Sequence, residues 1–304
     1  MNGLKSIAAI SFLSLTLNAN ALVDYSGGPS ATKYDPTTTS PAPVVRQSRA
    51  KTSAPASSGF DWGFLPQAVD FSLGYTSAKA FYTDENINML NMKIKGTFSH
   101  GIFVELGMNG AQSLETSEYE QGNSSAKLGF NWLDIGNDYN KLIFDIFVGT
   151  NFSGKSEFST KRSDRFVGVT TEKRFGAAAL GLTYERTFTE GLVDDEEMSI
   201  GDISQWSADL GIMVSSEIQF LLTYGEVKVG ASDFLSANYL SSDLKYSYIK
   251  PQMFLKMANA VRLNLGAVFQ ASRPDSSLMS SSLKIWGLPA AYGNTLFAGL
   301  NIAI

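Results

Sequence analysis

From Pro66 to the last residue, apolar side chains return at every second position, run after run. That period puts successive side chains on opposite faces of a β-strand. In "VDFSLGY", Val69, Phe71, Leu73 and Tyr75 share one face. "LNMKIKGTF" sets Leu90, Met92, Ile94 and Phe98 against Lys93 and Lys95. "GIFVELGMNG" sets Ile102, Val104, Leu106 and Met108 against Phe103, Glu105 and Asn109. Leu128, Phe130 and Trp132 then oppose Lys127, and Leu142, Phe144, Ile146 and Val148 oppose Asp145. A weaker run covers 164–172. The scheme resumes with Leu180, Leu182 and Tyr184 against Glu185, Trp206, Leu210 and Ile212 against Asp209, and Phe220, Leu222 and Tyr224 against Gln219 and Thr223. "DLKYSYIKPQMFLKM" is long, carries Lys245, and reads as changing phase near Pro251. Leu263 and Leu265 oppose Arg262, and "GNTLFAGLNIAI" ends the chain with Leu296, Ala298, Leu300, Ile302 and Ile304 on one face.

The turns between these runs alternate in length. Short ones fall near 99–101, 134–139, 173–175, 215–216 and 258–260, and long ones near 111–123, 153–163, 189–202, 229–242 and after 271. A soluble sandwich also alternates apolar and polar residues. It does not require charges to punctuate one face while large apolar and aromatic residues recur on the other, with short and long turns in strict succession. Those features belong to a closed antiparallel barrel in lipid, which leaves no sheet edge unsatisfied. The expected fold is all-β, an antiparallel transmembrane β-barrel of 12 strands. Reading 279–287 as a further strand gives thirteen, which separates the termini. Breaking the tenth strand at Pro251 as well gives fourteen. Composition agrees: Gly is high at 27, aromatics are 12 %, and cysteine is absent, so neither disulfide nor thiolate chemistry is available.

Residues 1–21, "MNGLKSIAAISFLSLTLNANA", read as a signal peptide: Lys5, a short apolar stretch, and Ala19 and Ala21 at a small-x-small cleavage site. The apolar stretch is shorter than a spanning helix. Residues 22–60 are rich in Ser, Thr, Ala and Pro, with Arg46, Arg49 and Lys51, and read as a disordered periplasmic tether or a segment that binds a periplasmic partner. The barrel unit is then 61–304. A net charge of −5 and the lack of a basic stripe argue against nucleic acid.

Taken together, the leader and the alternating runs resemble a Gram-negative outer-membrane β-barrel protein. That resemblance implies residence in the cell outer membrane, contact with outer-membrane lipid, and assembly machinery that reads the C-terminal strand. Leu300 and Ile302 fit such a strand, while Ile304 stands where the class most often has Phe.

Chemical motifs are sparse. The single histidine, His100, lies beside Ser99 between two strands and reads as a turn residue. "DDEE" at 194–197 lacks the spacing of a calcium loop and reads as a solvated cluster. No catalytic, cofactor or metal residue is assigned. The candidate residues are those opposite the apolar stripes: Lys93, Lys95, Glu105, Lys127, Asp145, Glu185, Asp209, Lys245 and Arg262 are expected to line a lumen. They serve equally as pore lining for small polar solutes or as ion pairs that fill a structural or ligand-binding barrel. A lipid-modifying enzyme is the third reading.

Overall fold

The computed structural model describes residues 66–304, apart from 80–85, 114–118, 138, 155, 157, 191–198, 233–238, 276–277, 279–284, 286 and 292. The leader, the tether and the "DDEE" cluster lie outside the described residues. Among the described residues there are twelve strands: β1 Ala68–Lys79, β2 Asn86–Thr97, β3 Ile102–Ser113, β4 Tyr119–Ile135, β5 Leu142–Phe152, β6 Asp164–Phe175, β7 Ala178–Phe188, β8 Ile203–Met213, β9 Ile218–Val229, β10 Leu244–Ala258, β11 Val261–Ser272 and β12 Thr295–Ala303. Each pairs antiparallel with its sequence neighbours, and β1 pairs with β12, so the sheet closes into a barrel. At the seam the Val69 N–H donates to the Ile304 carbonyl at 3.0 Å and the Ile304 N–H donates back at 2.9 Å. The apolar final run is thus paired to its last residue, which removes the edge that lipid cannot hydrogen-bond.

Short connections and both ends of the barrel lie at one rim, the periplasmic one in barrels of this kind. His100 sits there, in the turn at Ser99–Gly101, with φ 69°. The long connections gather at the opposite rim. On the outer face Leu128, Phe130, Leu210 and Leu222 are exposed, as a lipid-facing belt requires. Aromatic rows bound the belt. Trp132 packs edge-on to Phe144 near the short-turn rim, and Trp206 lies against Tyr224 toward the long-loop rim. Such rings suit the interface between hydrocarbon and water.

The sequence reading is corrected at Pro251. β10 crosses it without a change of phase, and Tyr246, Tyr248, Lys250, Gln252 and Phe254 all face inward. Pro251 has no N–H to give, and the β10–β11 ladder merely skips from Ile249↔Phe269 to Gln252↔Gly266. Most of segment 279–287 lies outside the described residues; β11 pairs directly with β12, so no strand intervenes between them in the barrel.

Candidate functional site

The inward face divides into a charged sector and an apolar one. In the charged sector Lys95 stands opposite Glu105 across β2 and β3, and Glu105 stands opposite Lys127 across β3 and β4. One oxygen of Glu105 lies 3.2 Å from Lys93 Nζ and 3.5 Å from Lys127 Nζ. Glu105 and Lys127 are both buried. Buried charges cost several kcal/mol each unless paired, so this shared carboxylate stabilises two ammonium groups at once. Ring faces assist. Lys95 Nζ lies 4.5 Å from the centre of Phe103, Lys127 Nζ 4.8 Å from that of Phe147, and Lys250 Nζ 5.1 Å from that of Phe297.

These rings are seated against glycines. Phe103 is opposite Gly129, Phe147 opposite Gly168, Phe166 opposite Gly149 and Phe297 opposite Gly266. A Cβ at Gly129 would meet the Phe103 ring at 2.0 Å, and one at Gly149 the Phe166 ring at 2.2 Å. Only glycine leaves room for a ring to lie on the wall, where it presents a face to an ammonium instead of filling the lumen.

Farther round, the polar groups are held in pairs. Asn131 donates to Asp145 at 2.8 Å, Gln205 donates to Glu185 at 2.9 Å, and the Thr223 hydroxyl donates to Asp209 at 2.5 Å. Arg262 shares the inward face of β11 with buried Asn264. Eight of the nine residues singled out from the sequence therefore face inward; Lys245 does not. Its side chain is 61 % exposed on the outer face and pairs with Glu226 at 3.0 Å, while Leu244 and Tyr246 beside it turn inward. The reason is height. Above the lipid belt the outside is water, so the polarity of the two faces reverses. The pairs Arg186–Asp202 and Lys228–Asp243 are likewise water-exposed at this rim, joining β7 and β9 to the residues just before β8 and β10.

Buried charges that the sequence reading passed over include Arg162 with Asp164 (3.3 Å), Arg174 with Glu172 (3.4 Å), and Lys250. Glu172 and Arg174 follow Thr170 at period two, a signal hidden by Lys173 on the outward face. Lys250 was obscured by the supposed phase change at Pro251.

The apolar sector fills the long-loop half of the barrel on β8 to β12. Ile203, Val227, Val229, Leu244, Tyr246, Tyr248, Val268 and Phe297 form one buried cluster with Ile200, Leu240, Ile285, Ala290 and Ala291 from the connections. The Gln270 amide donates to the Ala290 carbonyl at 2.6 Å and ties the last long connection to this cluster. A cavity of about 160 Å³ separates the cluster from the charged wall, with Ile285, Gly287 and Leu288 on one side and Asn91, Glu105, Lys127 and Gln205 among the residues on the other. Among the described residues no group of three or more His, Cys, Asp or Glu side chains is placed to hold a metal ion.

No protein-family model matches the chain, and no curated protein matches it. Solved structures do. An outer membrane channel from Pseudomonas putida F1 matches with a TM-score of 0.52 at 10 % identity, covering 79 % of this chain and 96 % of that one. The NanC porin matches with a TM-score of 0.50 at 12 % identity, covering 77 % of this chain and 98 % of the porin. At these identities the likeness is one of fold: a 12-stranded antiparallel barrel like those of Gram-negative outer-membrane porins and channels.

Proposed function

We propose that this barrel resides in the outer membrane and passes small polar solutes. The observation that supports the reading is the inward wall of paired charges and amides bordering a cavity, in place of an interior packed throughout with apolar side chains. Water and polar solutes are compatible with such a wall; hydrocarbon outside is not. Ile285, Ala290 and Ala291 of the last long connection pack in the apolar cluster at the long-loop end, and we take that end as the narrow one. Residues 1–21 act as the export signal, 22–60 as a periplasmic tether, and β12 as the strand that the assembly machinery reads.

Conductance of the refolded protein in a planar bilayer tests this. The channel reading expects reproducible single-channel steps, larger in a variant lacking residues 276–291. A second reading, a ligand-binding barrel without transport, is favoured by the apolar cluster that fills the long-loop half. Silence of both wild type and deletion in a folded, heat-modifiable barrel would select it. A lipid-modifying enzyme finds less support: His100 lies in the short-turn rim, and the buried carboxylates are engaged by ammonium, guanidinium, amide or hydroxyl groups.

A further inference from the structure

The outer face of the barrel is not the same all round at its long-loop rim. On β7 to β10 it carries the exposed ion pairs Arg186–Asp202, Lys228–Asp243 and Lys245–Glu226. Across the barrel, on β3 to β5, the outward rim positions Gln112, Ser124 and Phe152 are uncharged. The three cations share one row. Strand pairing sets Arg186 opposite Ser204, Ser204 opposite Lys228, and Lys228 opposite Lys245. Lys228 and Lys245 are thus direct cross-strand partners of like charge, an arrangement that costs stability until an anion joins them. Ser204 is the short side chain of the row and leaves a notch between the Arg186 guanidinium and the Lys228 ammonium. With neighbouring strands about 4.8 Å apart, those two backbones stand about 10 Å apart, and both long side chains reach a single anion between them.

These heads are accessible. The side chains of Arg186, Lys228 and Lys245 are 51 %, 50 % and 61 % exposed. Each meets one carboxylate among the described residues, whereas a guanidinium carries five N–H donors and an ammonium three. Asp202 and Asp243 come just before β8 and β10, on the water side of the row. Exposed pairs of this kind contribute little and yield to a competing dianion.

Below the row the polarity is graded. Tyr184 and Trp206 are paired one step nearer the membrane, with Tyr224 against the indole. Leu182, Leu210 and Leu222 follow, all exposed. Cation, aromatic ring and hydrocarbon surface thus succeed one another down the same strands. That is the order of headgroup, interface and chains in a phosphorylated lipid.

We propose that this face of β7 to β10 docks one phosphorylated lipid of the outer leaflet. Its phosphate sits on Ser204 between Arg186 and Lys228, with Lys245 alongside, and its acyl chains lie on the leucine surface below. The site rests on the outer-membrane location of the barrel, with the long loops facing out of the cell, and is independent of solute passage.

Native mass spectrometry of the full-length protein, refolded in detergent, tests it with lipid A bearing two phosphates and with the same lipid A after enzymatic dephosphorylation. The phosphorylated form should be retained at one per barrel and about tenfold more tightly than the other. Arg186→Gln combined with Lys228→Gln should weaken its retention about twentyfold, roughly fivefold for each cation at a membrane surface. Asp202→Asn removes no cation and releases Arg186 from its carboxylate, so it should tighten retention about twofold. Lys173→Gln, on the outer face at the short-turn rim, should change nothing. A heat-modifiable gel shift confirms that each variant is folded. Equal retention of the two lipids, equal loss in Lys173→Gln and in the double variant, or displacement of the lipid by an equimolar amount of inorganic phosphate would overturn the proposal. The readout needs no bilayer: a barrel that conducts but retains neither lipid loses this site and keeps the channel, and one that retains the phosphorylated lipid but never conducts keeps the site and loses the channel.

Discussion

The wall formed by β2 to β4 and the long-loop half of β8 to β12 face the same lumen, yet they are stabilised by opposite means. The first buries charges and must satisfy each: Glu105 serves Lys93 and Lys127 together, and Lys95 rests on a ring. The second buries Val227, Val229, Leu244 and Tyr246 against a folded connection, as a soluble core would. The difference teaches that a barrel interior need not be uniform with height or angle. Where the wall carries charges, they are paired and held against it; where it is apolar, described residues of the connections complete the packing.

The contrast can be broken most forcefully at Glu105. Replacing it with Ala leaves the buried Lys127 ammonium and the half-buried Lys93 ammonium without their shared carboxylate, at a cost of about 3–5 kcal/mol in urea unfolding of the membrane-inserted protein. A change below 1 kcal/mol would mean that water already screens this wall. On the outside of the same sheet, Leu210→Arg should cost about 2–4 kcal/mol if the residue is near the bilayer midplane, whereas Asp209→Ser one position away should cost less. Equal effects would erase the distinction between faces. In the apolar sector, Val229→Ala removes packed atoms and should cost about 2 kcal/mol, with an increase in single-channel conductance as the closure loosens. Neutralising Lys93 and Lys95 together should shift the reversal potential across a salt gradient toward cation selectivity, most clearly at low salt, where screening is weakest. The smallest effect is expected at the outer rim. Asp243 lies outside the membrane span, where the Lys228 ammonium and the Ala231 N–H hold its carboxyl below the ordinary value of 3.8. A depressed carboxylate stabilises the fold above that ordinary value and loses its contribution as pH falls through the folded one. Asp243→Asn should therefore slightly reduce the drop in melting temperature between pH 7 and pH 3.

Strand count and turn alternation were legible because lipid imposes one face of every strand. Leu128, Leu210 and Leu222 announce their side whatever the interior holds. The interior was legible only where that pressure operates. Lys245 lies above the belt, where the outside is wet, so the rule that placed Lys127 inward placed Lys245 on the wrong face. Lys250 was lost to a proline that breaks a hydrogen bond but not the alternation. The seating of Phe103 on Gly129 depends on the register between two strands, a relation that no single run of residues contains.

Those seats have a consequence for the bore of the barrel. The calibre of the lumen is set as much by residues without side chains as by the rings themselves. One methyl group at Gly129 would meet only the Phe103 ring and evict it from the wall. Gly129 thus acts as the stop of an iris: aperture can be narrowed there by a substitution on a neighbouring strand that alters no charge and whose nearest clash is with the ring alone, whereas at Gly149 and Gly168 the added methyl also meets the Ala126 and Tyr184 carbonyls at 2.5 and 2.7 Å and presses on the sheet itself.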